Sequence, residues 1–549
     1  MKKYFTYIIA CILFIFPLTP STAQETLIID GVEVTRVIIA PPRSPIALVI
    51  KAGLYEDYKS SPFESKEYYE KQKLYYFYGK RHFEPLWLTS ENNSKVELSQ
   101  KALDILQVFK NSAQSGLNPS DYLSDEISLK KFGTSAIELA HFETAFSATV
   151  MRYAQDSYGG RIDPVKVSSR FDYKLNRIDE NKLLLQLANS DNPAKILLDL
   201  EPKQREFIAL KAALASHSDD AEEEAIIIES GKILRLGEID KRVPSIRERL
   251  GIALPNIGGD EYDENLLVEV EKFQAEAGLK VDGVIGPATI AALNGNNNAS
   301  KADIIANMER WRWLPRDMGD FHVFVNIPQF NLEIMQDEKK IYSTRVVVGK
   351  TKFQTNIFSD KIKHVVVNPY WNVPRSILNN ELAPKIKSNP SFLAASNMQL
   401  LSKNGVVDAS KIDWSTANMN NYRVRQLPGS RNALGSIKFL FPNKHAIYLH
   451  DTPSKSLFSR SSRAFSHGCV RVKNPWEFTQ ALLQNDSKLN YTNILSQRKD
   501  GGKERWNNLA SPIPVHLAYF TLRIDESGNI RSYVDIYGHN KRLKALLGL

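Results

Sequence analysis

Ser466-His467-Gly468-Cys469-Val470-Arg471-Val472 holds the single cysteine that lies beyond the first two dozen residues of the chain. Gly468 lets the backbone approach a ligand closely, and His467 and Arg471 supply positive charge that favours a thiolate. A free cysteine is ordinarily a small buried hydrophobe. In an exported protein, however, an unpaired thiol is a liability unless it has a use. Upstream, Ala446-Ile447-Tyr448-Leu449 reads as an apolar strand, and His450 follows it at the head of the loop Asp451-Thr452-Pro453. A histidine at one strand end facing a cysteine on the next segment makes a nucleophile–base pair. Asp451 reads as a turn residue, and a backbone carbonyl could orient His450 as well as a side chain could.

The rest of the chain bounds the setting. It has 549 residues, net charge +9 and two cysteines; 43% of residues are hydrophobic and 24% charged. These values exclude wholesale disorder, and two cysteines exclude a disulfide scaffold or a Cys-rich metal site. Lys2 and Lys3 precede an apolar run to about Leu18 and then Ser21-Thr22-Ala23, the layout of a secretory signal peptide over residues 1–23. Removing it takes Cys11, leaves Cys469 as the only thiol, and lowers the charge from +9 to +7 with the loss of Lys2 and Lys3. The expected location is the periplasm or cell envelope, with membrane contact only through an uncleaved signal segment. A modest positive charge there suits acidic envelope polymers. No basic aromatic array points to nucleic acid. Ten histidines, without a helical His-Glu-x-x-His, imply no metal, and no cofactor is expected.

Three regions follow the signal segment. Residues 45–237 read as a helical scaffold domain, with one helix carrying Leu98, Ala102, Ile105, Leu106, Phe109 and Ala113 and another over about 135–158. The aromatic cluster Tyr68, Tyr69 and Tyr75 to Tyr78 fits helix packing better than sugar stacking. Residues 238–295 form a compact three-helix unit: Ser245 and Asp263 are candidate caps, and Gly286-Pro287 opens the last helix. After the polar run Asn294 to Asn298 the period changes to two, with strands over His322–Met335, Ile341–Val348, His364–Val367, Ile437–Phe441 and Val515–Ile524. The expected fold class is multidomain α+β: a helical scaffold, a small three-helix domain and a β-rich unit over 300–549 with an insertion at 376–426.

Two families are recognisable in these motifs. Ile246 to Gly251, Val270 to Gln274 and Asp282-Gly283-Val284-Ile285-Gly286-Pro287 resemble the small peptidoglycan-binding domain of bacterial wall enzymes. His450-Asp451-Thr452-Pro453 and Arg463 to Arg471 resemble the paired motifs of the L,D-transpeptidase catalytic domain of YkuD type. Asn307 to Pro315, Asn368 to Pro374 and Pro428 to Gly435 extend that likeness. The whole is similar to the large periplasmic L,D-transpeptidases, in which the insertion is a lid-like subdomain. Thr355-Asn356 departs from the Thr-Pro common in that family.

The resemblance implies a two-step acyl transfer. Cys469 attacks a tetrapeptide stem and expels D-alanine, with His450 as base. Backbone N–H groups of His467, Gly468 and Cys469 form the oxyanion hole, and an amine of a neighbouring stem accepts the acyl group in a 3→3 cross-link. Arg471 binds a substrate carboxylate or else anchors its loop, while Ser466, Tyr448 and Trp371 shape the pocket or support it. The implied partners are peptidoglycan stem peptides, with carbapenem-type β-lactams as inhibitors. Hydrolysis, ligation of a protein to the wall, and a non-catalytic wall-binding role remain open alternatives.

Overall fold

The computed structural model describes residues 23–29, 32–63, 65–91, 95–127, 135–216, 228–229, 231–255, 259–277, 279–295, 299–498, 502–526 and 528–549. The stretch read as a signal peptide, up to Thr22, and residues 296–298 of the polar run lie outside the described residues. Two compact units divide the chain.

The first unit takes Met1–Lys110, Pro119–Ala154 and Asp179–Asp199. Its helices include Pro45–Ser60, Lys66–Gly79, Gln100–Lys110 and Glu180–Asn189. Tyr75, Phe77 and Tyr78 are buried with Phe109, Phe146 and Tyr153, so much of the aromatic run packs a helical core. Leu98 does not belong to the helix that its spacing suggests. It ends a hairpin, Leu88–Glu91 paired with Lys95–Leu98, and the Ala102 N–H donates to the Ser99 hydroxyl at 3.3 Å to start the helix at Gln100.

The second unit takes Asn111–Asn118, Gln155–Ile178 and Leu200–Leu549. Within it, helices Val243–Arg249, Glu264–Glu276 and Pro287–Gly295 enclose Val243, Ile246, Leu266, Val270, Phe273 and Leu293. Asp263 caps the second helix, accepting from the Leu266 N–H at 2.9 Å. Ser245 caps nothing. The first helix already begins at Val243, with Pro244 in its first turn. Gln274 fixes the turn before the third helix by accepting from Asp282 and Gly283 N–H at 3.0 and 2.9 Å. Gly283, at φ 62, supplies the left-handed residue that this turn needs.

The β-rich part comprises β1 (Phe321–Asn326), β2 (Asn331–Gln336), β3 (Lys339–Gly349), β4 (Phe358–Val367), β5 (Ile437–Leu440), β6 (Leu449–His450), β7 (Ala464–Ser466), β8 (Val470–Val472) and β9 (Arg505–Ala518). Pairings run β3-β8-β6-β5-β4-β9-β1-β2 and back to β3, a closed circuit of eight strands with β7 alongside β3. Closure removes exposed edges, and alternate residues such as Val323, Val325, Val346, Val348, Val470 and Val472 fill the interior. The stretch His322–Met335 is two strands rather than one. Pro328 cannot donate to a ladder and Phe330 adopts φ 54, so the chain turns there. The run Val515–Ile524 is likewise divided, because β9 ends at Ala518 and Leu522–Ile524 pairs with Ile530–Ser532.

Between β4 and β5 lies the inserted subdomain. It has short helices and a four-stranded sheet of Gly405–Val407, Met398–Ser402, Arg423–Gln426 and Trp371–Asn372. Its own core includes Leu378, Leu382, Ile386, Leu400 and Trp414. Among the described residues no helix is long and apolar enough to cross a membrane.

Candidate active site

Strands β6 and β8 run parallel, with Leu449 opposite Val470 and His450 opposite Arg471. Leu449, Val470 and Val472 point into the core. The two-residue period therefore turns Tyr448, His450, Cys469 and Arg471 to the other face of the sheet. The thiol and the imidazole thus share one face, on neighbouring strands.

A backbone carbonyl orients the histidine: His450 Nδ1 lies 2.5 Å from the Asp451 carbonyl oxygen. With Nδ1–H donating there, Nε2 is left as the acceptor. The Asp451 carboxylate turns elsewhere, accepting from Ser436 N–H and hydroxyl at 2.9 Å and from Lys455 at 2.5 Å. Burial lowers the His450 pKa to about 3, aided by the Arg471 cation. Desolvation raises the Cys469 thiol to about 11, against the N–H and hydroxyl of Tyr448, which pull it down. The thiol donates to the Ala446 carbonyl at 3.7 Å. The resting pair is therefore neutral thiol and neutral imidazole.

The loop around Cys469 is clamped from both sides. Ser466 Oγ accepts from the Gly468 N–H at 3.0 Å and donates to the Cys469 carbonyl at 2.5 Å. Gly468 stands at φ 118, where a side chain would be strained. Its N–H is engaged by Ser466, so it is not a free oxyanion donor in this conformation. Arg471 forms no ion pair among the described residues, and its buried Nε has no hydrogen-bond partner. That leaves the guanidinium available to a carboxylate. Among the described residues no group of three or more His, Cys, Asp or Glu could hold a metal ion.

The sequence profile of the L,D-transpeptidase catalytic domain matches residues 320–489, which contain all of these groups. The chain carries an L,D-transpeptidase catalytic domain. Profiles for a "Scaffold domain" and a "Putative peptidoglycan binding domain" match residues 72–214 and 248–293. A "Putative L,D-transpeptidase" of Haemophilus influenzae is 40% identical over 243 residues, 43% of this chain and 48% of that protein. The chain thus spans about half the length of this relative. The amidase CwlL of Bacillus licheniformis is 41% identical over 68 residues, 12% of this chain and 19% of its own. A crystal structure of an L,D-transpeptidase from Stackebrandtia nassauensis covers 52% of this chain and 94% of its own, at 14% identity and TM-score 0.21.

The transpeptidase domain holds its loop with residues that no local motif reveals. Thr355 Oγ1 accepts from the Gly349 N–H at 2.9 Å and donates to the Gly468 carbonyl at 2.8 Å, tying the end of β3 to the Cys469 loop. A Cβ on Gly349 would lie 2.1 Å from the Phe353 carbonyl oxygen, so only glycine fits. The Asn443 side chain accepts from His445 and Ile447 N–H, holding Ala446 at φ 53 with its carbonyl toward the thiol. His467 packs its ring against Phe353, centroids 4.8 Å apart, and its Nε2 lies 2.7 Å from Glu381 of the inserted subdomain. Trp371, at the start of that subdomain's sheet, pairs with Gln426. Asn356, the departure from Thr-Pro, has its Nδ2 3.2 Å from His445 Nδ1.

Thr355→Val is expected to leave the Gly349 N–H and the Gly468 carbonyl without this partner, at about 1–3 kcal/mol for each buried group left unsatisfied. Thermal unfolding should fall by several degrees. Thiol reactivity of Cys469, followed by intact mass, should change with it.

Proposed function

We propose that this protein forms 3→3 cross-links in peptidoglycan through a cysteinyl acyl-enzyme. The reading rests chiefly on one observation: Cys469 and His450 share a sheet face on adjacent parallel strands, with His450 Nδ1 held by the Asp451 carbonyl. His450 Nε2 takes the thiol proton as Cys469 sulfur attacks the carbonyl of the third stem residue. The tetrahedral intermediate collapses to a thioester, and D-alanine leaves carrying the proton from His450. A side-chain amine of a neighbouring stem then attacks the thioester, loses its proton to His450 and returns Cys469 to the thiol. The Cys469 N–H is the donor nearest in sequence to the developing oxyanion. Arg471, without a carboxylate of its own, suits a stem carboxylate. Tyr448, whose ring lies 5.6 Å from that of His450, packs the base. Export to the periplasm belongs to the same reading, as does acylation by carbapenem-type β-lactams.

The test incubates the full chain with disaccharide-tetrapeptide and weighs the products. Dimers that have lost one D-alanine are expected. Monomeric tripeptide alone would replace transfer by hydrolysis. A carbapenem should add its intact mass to the wild type and not to Cys469→Ala.

A further inference from the structure

The sheet face that bears the active site continues past it. Cys469, Arg471 and Lys473 follow one another at i, i+2 and i+4 on that face, and Arg471 is paired with Val347 of β3, two residues from Arg345. At ~3.3 Å per residue, Lys473 lies about 13 Å from the nucleophile along the strand. There the surface opens into a cavity of ≈ 340 Å³ lined by Arg345, Arg463, Lys473, Asn331 and Asn474 of the β-rich part and by Ala277 of the three-helix domain.

The charge in this cavity is unbalanced. Its one lining carboxylate, Glu333, is bound to Arg523 at 3.1 Å, and Lys340 is bound to Glu526 at 2.8 Å. Arg345, Arg463 and Lys473 have no carboxylate partner among the described residues. Arg463 is only 4% exposed. Its terminal nitrogens reach backbone carbonyls: Nη1 to Arg460 at 2.9 Å and to Ser461 at 3.5 Å, Nη2 to Gln329 and Phe330 at 3.4 Å. Its buried Nε has none. Arg345 contributes equally long bonds, Nη1 to the Phe458 carbonyl and Nη2 to that of Leu279 in the three-helix domain, both 3.5 Å. A buried cation without a counter-charge is costly, and an incoming carboxylate relieves that cost with charge-assisted bonds.

We propose that this cavity is an accessory binding site for the carboxylate-bearing peptide stem of the wall polymer, on the same sheet face as Cys469. The Asn331 amide is held by Glu333 and Ser343 and Asn474 Nδ2 by Glu477, so the cations are the groups left to meet an incoming carboxylate. A wall domain on one side and the nucleophile about 13 Å away on the other suit a stem of the strand being processed. The choice of ligand rests on the wall-transpeptidase reading above; the existence of an anion site does not.

Binding of a soluble disaccharide-tripeptide is measured by calorimetry on full-length Cys469→Ala, with and without Arg345→Gln and Lys473→Gln. Removing both charges should weaken binding about tenfold, and Lys473→Arg alone should retain it. Esterifying the stem carboxylates should weaken binding to the parent as much. In parallel, Arg345→Gln/Lys473→Gln with Cys469 intact should react with iodoacetamide within twofold of wild type, showing an undisturbed loop. Unchanged affinity overturns the proposal, as does a loss of affinity matched by a loss of thiol reactivity. Displacement of the stem by inorganic phosphate at equal concentration would assign the cavity to a generic anion instead. Failure of wild type to release D-alanine, with the charge-dependent affinity preserved, would instead remove the transfer reading and leave this site standing.

Discussion

Cys469→Ala is expected to lower release of D-alanine from disaccharide-tetrapeptide by at least about 10⁴-fold, to the limit of detection by mass spectrometry. The size of the effect follows from the chemistry that is left. The signal segment, if removed, takes Cys11 with it, so Cys469 is the one thiol of the remaining chain. No other nucleophile shares its strand entrance: Ser466 is spent on clamping the loop, its hydroxyl bonded to the Cys469 carbonyl and the Gly468 N–H. The substitution should leave the fold intact, because the thiol's bond to the Ala446 carbonyl is long, at 3.7 Å, and its other hydrogen-bond contacts are to Tyr448 alone. Unfolding within a degree or two of wild type, together with lost turnover, is the expected pair of results. Turnover retained at even one part in a hundred would remove Cys469 from the mechanism. Cys469→Ser is a stricter form of the same test: the hydroxyl is a far weaker nucleophile beside a base whose pKa burial has driven to about 3.

Much of this site was legible because its chemistry is local. A glycine beside Cys469, and a histidine at the end of an apolar strand, carry their meaning in residue type and neighbourhood. What supports them is not local. Thr355 reaches Gly468 across 113 positions of sequence, and Glu381 reaches His467 across 86. No period or propensity encodes such convergence; closure of the barrel creates it. Strand lengths failed where side chains compete for the backbone. Ala446–Leu449 reads as an apolar strand, yet only Leu449–His450 pairs, because Asn443 captures the N–H groups of His445 and Ile447. The hairpin ending at Leu98 was hidden by an accident of spacing. Leu98 falls in helical phase with Ala102 and Ile105, and the capping hydroxyl of Ser99 is the signal that would have separated them. The unpaired Arg463 is beyond sequence altogether, since its meaning lies in the absence of a carboxylate around it.

His450→Gln is expected to slow acylation by about 10²–10⁴-fold and to change how the enzyme responds to acid. Burial and the Arg471 cation lower the His450 pKa to about 3, while desolvation raises that of Cys469 to about 11. Between these values the pair rests neutral, so the imidazole is always free to accept a proton and the thiolate forms only as reaction proceeds. Alkylation of Cys469 by iodoacetamide should therefore climb about tenfold per pH unit from 6 to 9, without a plateau near neutrality. A preformed thiolate–imidazolium pair would instead give a rate already flat at pH 6, and that result would sink the neutral-pair assignment. Stability carries the same sign. The unfolded histidine, with an ordinary value of 6.5, binds a proton that the folded one refuses. Its contribution is intact above pH 6.5 and is lost progressively as pH falls toward 3. His516 and His539 add to this loss, since burial lowers both to about 4. Removing His450 should thus make the fall of melting temperature between pH 6.5 and 4 shallower without abolishing it. The thiol acts at the other end, where the folded state keeps a proton that the unfolded cysteine gives up from its ordinary value of 9.0. Cys469→Ala should accordingly flatten the stability loss between pH 9 and 11 and leave the acid limb unchanged, whereas His450→Gln should do the reverse.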